Sequence, residues 1–522
     1  MTDRRNLIDR IRAEPGWDFV VIGGGATGLG TAVDAASRGF STLLLEADDF
    51  ARGTSSRSTK LIHGGVRYLA QGNIKLVREA LHERGILLRN APHLAHRLEF
   101  LVPAYSWGGI AYYGLGLKTY DWLAGSSSLG GSRPVGKPEA LRLAPTLEPS
   151  RLRGGIVYAD GQFDDARFAI TLVRTLFDLG GLAINRMSVV RIVKERGKVA
   201  GVEAVDSETG EISLIRSKVV VNATGVEADF IRGLDEPGTS ATMSPSRGSH
   251  IVLDRSFLPG DVAVMIPKTD DGRVLFAIPW LDRVLVGTTD TPVDGATREP
   301  RPTTEEIDYL LTHAGRYFAR RPRLDDVLST FAGLRPLLGR VGSGRTASLS
   351  REHAVFVSDS GMVTITGGKW TTYRRMGMDA VNRAAEVAGL DRRPSRTEEL
   401  KLHGWSAEKL ERPFGGYGSD VDELNRLVAD HPEWGESIHP RLPDRKVEVI
   451  WAARHEFARS VEDVVARRTR GLFLDARASI EAAPVVACLL AGELGRDPTW
   501  EASEVESFRK LAAGYLPIIR AD

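Results

Sequence analysis

The sequence predicts an α/β protein: a Rossmann-like dinucleotide-binding domain, a second domain built on an antiparallel sheet, and an α-helical C-terminal domain. Three observations carry that expectation. Residues 17–46 read as strand, glycine turn, helix and strand ending in an acid; residues 187–225 pass through three strands to a second glycine-containing turn; and from about residue 398 the chain becomes charged and helical.

The apolar run Phe19-Val20-Val21-Ile22 has the length and β-branched content of a buried parallel strand, and it leads straight into Gly23-Gly24-Gly25-Ala26-Thr27-Gly28. In this G-x-G-x-x-G setting Gly23 permits the tight turn, Gly25 lets the backbone approach a pyrophosphate, and Gly28 lets the next helix pack on the strand. That helix, from Leu29 to Arg38, aims its unpaired N–H groups at the phosphates. A second strand ends in Glu46, placed to accept hydrogen bonds from ribose hydroxyls. The glycines alone would also suit a turn in another α/β protein; strand, helix, strand and acid together favour a dinucleotide.

A chain of 522 residues exceeds one simple core and is expected to divide into two or three substructures. Its net charge of +1 gives no basic field that would suit nucleic acid. The single cysteine, Cys488, lies in the apolar run Val485-Val486-Ala487-Cys488-Leu489-Leu490 and reads as a core residue; it allows no disulfide within the chain, which fits a reducing compartment. The N-terminal stretch carries both signs of charge and no apolar signal core, and no run long enough to span a membrane occurs. Peripheral attachment stays open.

Taken in order, residues 47–59 form a polar loop, followed by Leu61-Ile62-His63-Gly64-Gly65-Val66-Arg67-Tyr68-Leu69, which sets an imidazole and a guanidinium beside two glycines. Taken alone, His63 reads better as a hydrogen-bonded structural histidine than as a catalytic one. Residues 73–88 have the period of an amphipathic helix, and 101–150 read as helices and loops. A strand begins at Gly154; Asp160, Asp164 and Asp165 after it fit no metal spacing and read as turn and helix-cap residues, so no metal is expected. Three strands with turns at 195–198 and 206–210 end in Asn222-Ala223-Thr224-Gly225, a return to the cofactor sheet that favours FAD over NAD. Alternating strands from Arg247 to Asp290 suit a sheet roofing a flavin, and a helix starts at Thr304 and Glu305. Arg335, between apolar neighbours, requires a carboxylate or an anionic ligand. A third strand and glycine pair ends in Gly367-Gly368-Lys369-Trp370-Thr371-Thr372, whose following helix start offers positive potential to a reduced flavin.

Together, IGGGATGLGTAVDAASRG, TSSRSTKLIHGGVRYL, RGSHIVL, IPW with GTTD, AGLRPL and GGKWTTYR resemble, in order and across essentially the whole chain, the FAD-dependent, quinone-linked, aerobic-type glycerol-3-phosphate dehydrogenases. The segment around Val464-Val465-Ala466-Arg467-Arg468-Thr469-Arg470 is similar to that family's C-terminal domain. The resemblance implies an FAD-binding Rossmann-like domain of the glutathione-reductase/D-amino-acid-oxidase type at 1–90, 150–245 and 345–395. It implies a substrate-binding cap at 91–149 and 246–344, and a helical domain at 396–522.

The same resemblance implies oxidation of sn-glycerol 3-phosphate to dihydroxyacetone phosphate, with hydride passing to a non-covalently held FAD and electrons then to a membrane quinone. An oxidase reducing oxygen, and a non-catalytic flavin-fold scaffold, are the alternatives. Arg335, Arg67 and Lys369 are expected on the substrate phosphate, with Arg335 foremost and Arg247 a further candidate; His63 is expected as the proton acceptor. Arg67 could instead orient the flavin, and Lys369 could serve its N1 and C2 carbonyl region. Cofactor contacts are expected from Gly23, Gly25, Thr27, Gly28 and Glu46, from Ser58, Thr59, Leu61, His63 and Gly64, from Ala223, Thr224 and Gly225, and from Gly368, Lys369 and Thr371. Trp451, Phe457, Arg467, Arg468 and Arg470 are expected either on anionic lipid or on a solvated helix face with a packed core side. A cytoplasmic homodimer with peripheral contact on the inner face of the cell membrane is expected.

Overall fold

The computed structural model describes residues 4–70, 72–267, 269–339, 352–408 and 413–517; the side chains of Arg67 and Ala70 are outside the description. Two large sheets organise it. In the first, strands run in the order β17 (His353–Val357), β18 (Val363–Gly367), β10 (Ile212–Asn222), β1 (Trp17–Ile22), β2 (Thr42–Leu45) and β7 (Leu182–Ile184), and the pair β8 (Met187–Glu195) and β9 (Lys198–Asp206) runs antiparallel into β10. From β18 to β7 the pairing is parallel. Ile22 lies opposite both Leu45 and Asn222, and Asn222 opposite Thr364. The strand ends carrying Gly23, Glu46, Ala223 and Gly367 therefore meet at one edge, where open parallel sheets bind ligands.

The second sheet runs β15 (Thr291–Pro292), β11 (Ser246–Asp254), β14 (Arg283–Gly287), β13 (Leu275–Trp280), β12 (Ala263–Ile266), β4 (Ala95–Ala104), β6 (Gly154–Phe163) and β3 (Leu61–Ile62), with β16 (Val327–Arg335) on β11 and β5 (Arg133–Gly136) on β6. It is antiparallel except where β12 joins β4. The α/β class with an antiparallel second sheet and a helical C-terminal region is as the sequence predicts. The helices Lys446–His455, Ala476–Leu494 and Pro498–Ala513 form the bulk of that last region.

Five local expectations are corrected. Residues 101–150 contain the end of β4 and β5 as well as helices, and β6 runs without a break through Asp160 and Gly161. Gly161 marks close approach, not a turn: a Cβ there would lie 2.8 Å from the Ile62 carbonyl oxygen. Only Asp164 caps a helix, accepting from the N–H groups of Ala166 and Arg167. The helix Thr304–Gly315 is capped one residue earlier than expected, by a box formed between Thr303 and Glu306. Cys488 is exposed, because the helix Ala476–Leu494 buries Ala483, Val486, Ala487 and Leu490 and leaves position 488 on its outer face. Trp451, Arg467, Arg468 and Arg470 are buried and do not form a lipid-facing surface. Arg468 instead grips Asp49 at 2.5 and 2.9 Å, Arg467 donates to Asp49 at 2.5 Å, and Arg470 bonds Asp165 at 3.2 Å, fastening the C-terminal region to the cofactor domain, while Arg467 also bonds Asp463 within its own segment at 2.7 Å. Phe457 is partly buried and stacks on Phe177.

Candidate active site

The cofactor cavity is formed where the three glycine turns converge. Gly23 has a left-handed φ of 109°, and a Cβ on it would lie 2.8 Å from the carbonyl oxygen of Ala223. A Cβ on Gly28 would lie 1.9 Å from the Gly23 carbonyl oxygen, so the helix Ala26–Ser37 can approach the turn only with glycine there. Gly25 caps that helix without a side-chain bond, while Ser55 Oγ accepts from the Ala26 N–H at 2.9 Å. Glu46 accepts from the N–H groups of Gly24 and Asp48 at 2.6 and 2.8 Å; burial pushes its carboxyl up to about 7 against those two bonds. Trp370 Nε1 donates to the Ser55 carbonyl at 2.8 Å, tying the third glycine turn to the first. Gly23, Gly25, Thr27, Glu46, Ala223, Thr224, Gly225, Gly368 and Lys369 all line this cavity. A glycine cradle, a helix N-terminus and an acid at the strand end are the features a dinucleotide site requires.

A second cavity of about 800 Å³ adjoins it, lined by Thr59, Leu61, His63, Tyr68, Asp160, Thr288, Asp290 and Arg335 among others. Arg335 stands at the end of β16 and is fixed from four sides. It donates to the Thr289 carbonyl at 2.8 Å, to Thr288 Oγ1 at 3.2 Å, and to Ser246 Oγ and Asp290 Oδ1 at 3.3 Å each. Gly248 on β11 leaves room for it, since a Cβ there would fall 2.4 Å from Nη2. His63 is half-buried and its backbone N–H donates to Thr371 Oγ1 at 3.3 Å. Lys369 Nζ lies 4.0 Å from the centre of the Tyr68 ring, at the join between the two cavities.

The comparisons with known proteins agree with this geometry. Residues 18–374 match the FAD dependent oxidoreductase family model, and 361–501 match the C-terminal domain of alpha-glycerophosphate oxidase. The mitochondrial glycerol-3-phosphate dehydrogenase of Bos taurus is 40% identical over 531 residues, covering 95% of this chain and 73% of the relative. The chain belongs to the FAD-dependent glycerol-3-phosphate dehydrogenase family. The Homo sapiens member is 39% identical with the same coverage. A Bacillus halodurans glycerol-3-phosphate dehydrogenase structure, complexed with FAD, superposes with a TM-score of 0.81 at 30% identity over 99% of both chains. The cofactor of this family member is FAD.

Not every residue expected at the site lines it. Ser58 turns away, donating from N and Oγ to Asp165 at 3.0 and 2.7 Å. Arg247 bonds Glu306 at 2.9 Å and lines neither cavity. Gly64 lies behind the cavity wall, its N–H bonded to Tyr120 Oη at 2.8 Å. The Arg67 side chain lies outside the described residues. Sequence reasoning passed over Asp290, although GTTD was in view, because nothing local shows that this acid meets Arg335 from β16. It also passed over His250, which stacks on Phe331 with ring centres 4.6 Å apart and shares a 3.0 Å hydrogen bond with Thr59 Oγ1. Burial, reinforced by Lys60 and Arg335, holds the His250 imidazole well below its usual range. Among the described residues no cluster of His, Cys, Asp or Glu could hold a metal ion.

Proposed function

We infer that the protein oxidises sn-glycerol 3-phosphate to dihydroxyacetone phosphate and passes the electrons to a membrane quinone. The observation that carries this reading is the meeting of His63 and the immobilised Arg335 guanidinium in one cavity beside the cofactor motifs. Bound FAD supplies the two-electron acceptor for the hydride leaving substrate C2. Arg335 holds the phosphate dianion through charge-assisted hydrogen bonds, and Asp290 with Ser246 holds Arg335. His63 accepts the hydroxyl proton as the carbonyl forms. Lys369, on the cofactor side of the join, offsets negative charge there, and Arg67 is proposed as a second phosphate ligand from the family motif alone.

Membrane contact is proposed through the helix Trp107–Ala124. No described helix is long and apolar enough to cross a membrane. On this one, however, Trp107, Tyr112, Leu115 and Trp122 are 72%, 69%, 74% and 79% exposed. At 3.6 residues per turn these four positions share an arc of about 140° with Lys118 as its only charge. Exposed Lys75 and Arg78 stand on the adjoining helix Ile74–Asn90. Aromatic side chains with positive charge beside them suit an interfacial helix on anionic lipid. A homodimer is proposed from the family resemblance alone, with sedimentation velocity as its test.

The deciding experiment mixes the FAD-loaded protein anaerobically with sn-glycerol 3-phosphate and follows flavin absorbance, then adds a soluble quinone analogue or oxygen. Bleaching with quinone-driven recovery and slow reaction with oxygen is expected. Fast recovery in oxygen makes the protein an oxidase, and no bleaching overturns the substrate.

A further inference from the structure

The helix Trp107–Ala124 has a second face. Leu117, Tyr120 and Ala124 are buried on the side opposite the exposed arc, and Tyr112, Tyr113, Leu115, Gly116, Leu117 and Thr119 line the substrate cavity, so Tyr112 and Leu115 of the exposed arc reach it as well. The Tyr120 hydroxyl makes two bonds of fixed polarity. Burial and the neighbouring Asp160 push the phenol well above its usual range, so it keeps its proton. Its O–H donates a hydrogen bond to Asp160 Oδ2 at 2.7 Å, and its oxygen accepts from the Gly64 N–H at 2.8 Å. Asp160 is held in turn by Arg84 at 2.8 Å, and Arg84 reaches the Ser127 carbonyl, just past the end of the same helix, at 2.7 Å.

The contact with Gly64 is steric as well as polar. A Cβ on Gly64 would lie 2.6 Å from Tyr120 Oη and 2.7 Å from Leu81 Cγ, so the 63–64 peptide cannot shift towards the helix unless Tyr120 moves. His63, next in the chain, is held on its other side by Thr371. The loop is thus suspended between the cofactor motif and the inner face of a helix whose outer face is apolar and exposed.

We propose that Tyr120 is a positioning residue that couples contact of the outer face of the helix Trp107–Ala124 with a lipid surface to the placement of His63 and Gly64. The inference rests on the flavin-linked oxidation and the membrane contact given above, and adds that the two are linked. A lipid surface shifts the helix only if it favours one placement over another, and the same preference then acts on whatever His63 touches. Among the described residues, the Tyr120 hydroxyl is a direct polar link from that helix to the loop.

The test uses the full-length FAD-loaded protein and vesicles of phosphatidylethanolamine and phosphatidylglycerol. Two readouts are taken with and without vesicles: the difference spectrum of the oxidised flavin without substrate, and the anaerobic flavin-reduction rate with sn-glycerol 3-phosphate. The wild type is expected to show a spectral change and a rate change of about fivefold or more on vesicle addition. Tyr120→Phe is expected to co-sediment with vesicles as the wild type does, to retain FAD, and to lose both responses. The double variant Trp107→Ser, Trp122→Ser is expected to lose co-sedimentation and both responses while Tyr120 is intact. Vesicle responses that persist in Tyr120→Phe, or a wild type that binds vesicles with neither response, overturn the coupling. A wild type whose spectrum responds to vesicles, with the response lost in Tyr120→Phe, but whose flavin is never bleached by sn-glycerol 3-phosphate keeps the coupling and overturns the substrate reading.

Discussion

Gly23 backs directly onto Ala223: a Cβ on the glycine would lie 2.8 Å from the alanine carbonyl oxygen, and the Ala223 N–H donates to the Ile22 carbonyl at 2.9 Å. The two cofactor turns, two hundred positions apart in sequence, are therefore one steric unit. Gly23→Ala combines a clash with a left-handed backbone, at a cost of about 1–3 kcal/mol. FAD affinity is expected to fall about tenfold to a hundredfold, measured by flavin fluorescence on titration; an unchanged affinity would show that the turn can relax.

Arg335→Ala should raise KM for sn-glycerol 3-phosphate by about 1.5–3 kcal/mol, roughly tenfold to a hundredfold, with FAD content unchanged. Asp290→Asn keeps the guanidinium but removes its charged partner, and a smaller rise is expected. Steady-state kinetics with either variant at wild-type KM would sink the phosphate assignment.

His63→Asn is expected to slow anaerobic flavin reduction by about a hundredfold or more and to remove one ionisation from its pH profile. Retention of rate and profile together would return His63 to a purely structural role.

Glu46 gives a pH dependence of definite sign. Its carboxyl is raised by burial from 4.5 to about 7 in the folded chain, so between those values the fold binds more protons than the unfolded chain. Its contribution to stability therefore declines as pH rises through that window. Ribose hydroxyls donating to Glu46 favour the carboxylate, so FAD binding should tighten between pH 6 and pH 8, by up to about tenfold per unit below 7. Glu46→Gln is expected to flatten the slope of FAD affinity against pH; a slope unchanged in the variant would assign it elsewhere.

Arg298 reaches across the cofactor cavity, 3.5 Å from Asp48 on one side and 3.6 Å from Glu227 on the other. Its side chain is 59% exposed, so the two pairs are weak, about 0.2–1 kcal/mol together. Arg298→Ala is expected to speed FAD release about twofold to fivefold in a dilution assay without altering KM. High salt should do the same to the wild type.

By itself the sequence determined the α/β class, the three glycine turns and the FAD family, and it singled out His63, Arg335 and Lys369 as candidates for the site. These signals are local: a strand that must be buried on both faces, a glycine where no side chain fits, and an acid at a strand end all leave their mark within a few residues. Only the tertiary structure decided what depends on distant partners. Arg335 acquires Asp290 through the pairing of β16 with β11, Arg247 is taken up by Glu306, and the arginines at 467, 468 and 470 go inward to Asp49, Asp463 and Asp165. Gly30 and Gly377 allow two helices to cross closely, a Cβ on the latter lying 2.5 Å from the former, and neither position announces it. The apolar helix Trp107–Ala124 shows the limit most plainly. Its composition would suit a buried helix, but only the packed structure shows which arc lies against Gly64 and Asp160 and which is exposed, because burial is a property of neighbours rather than of residue type.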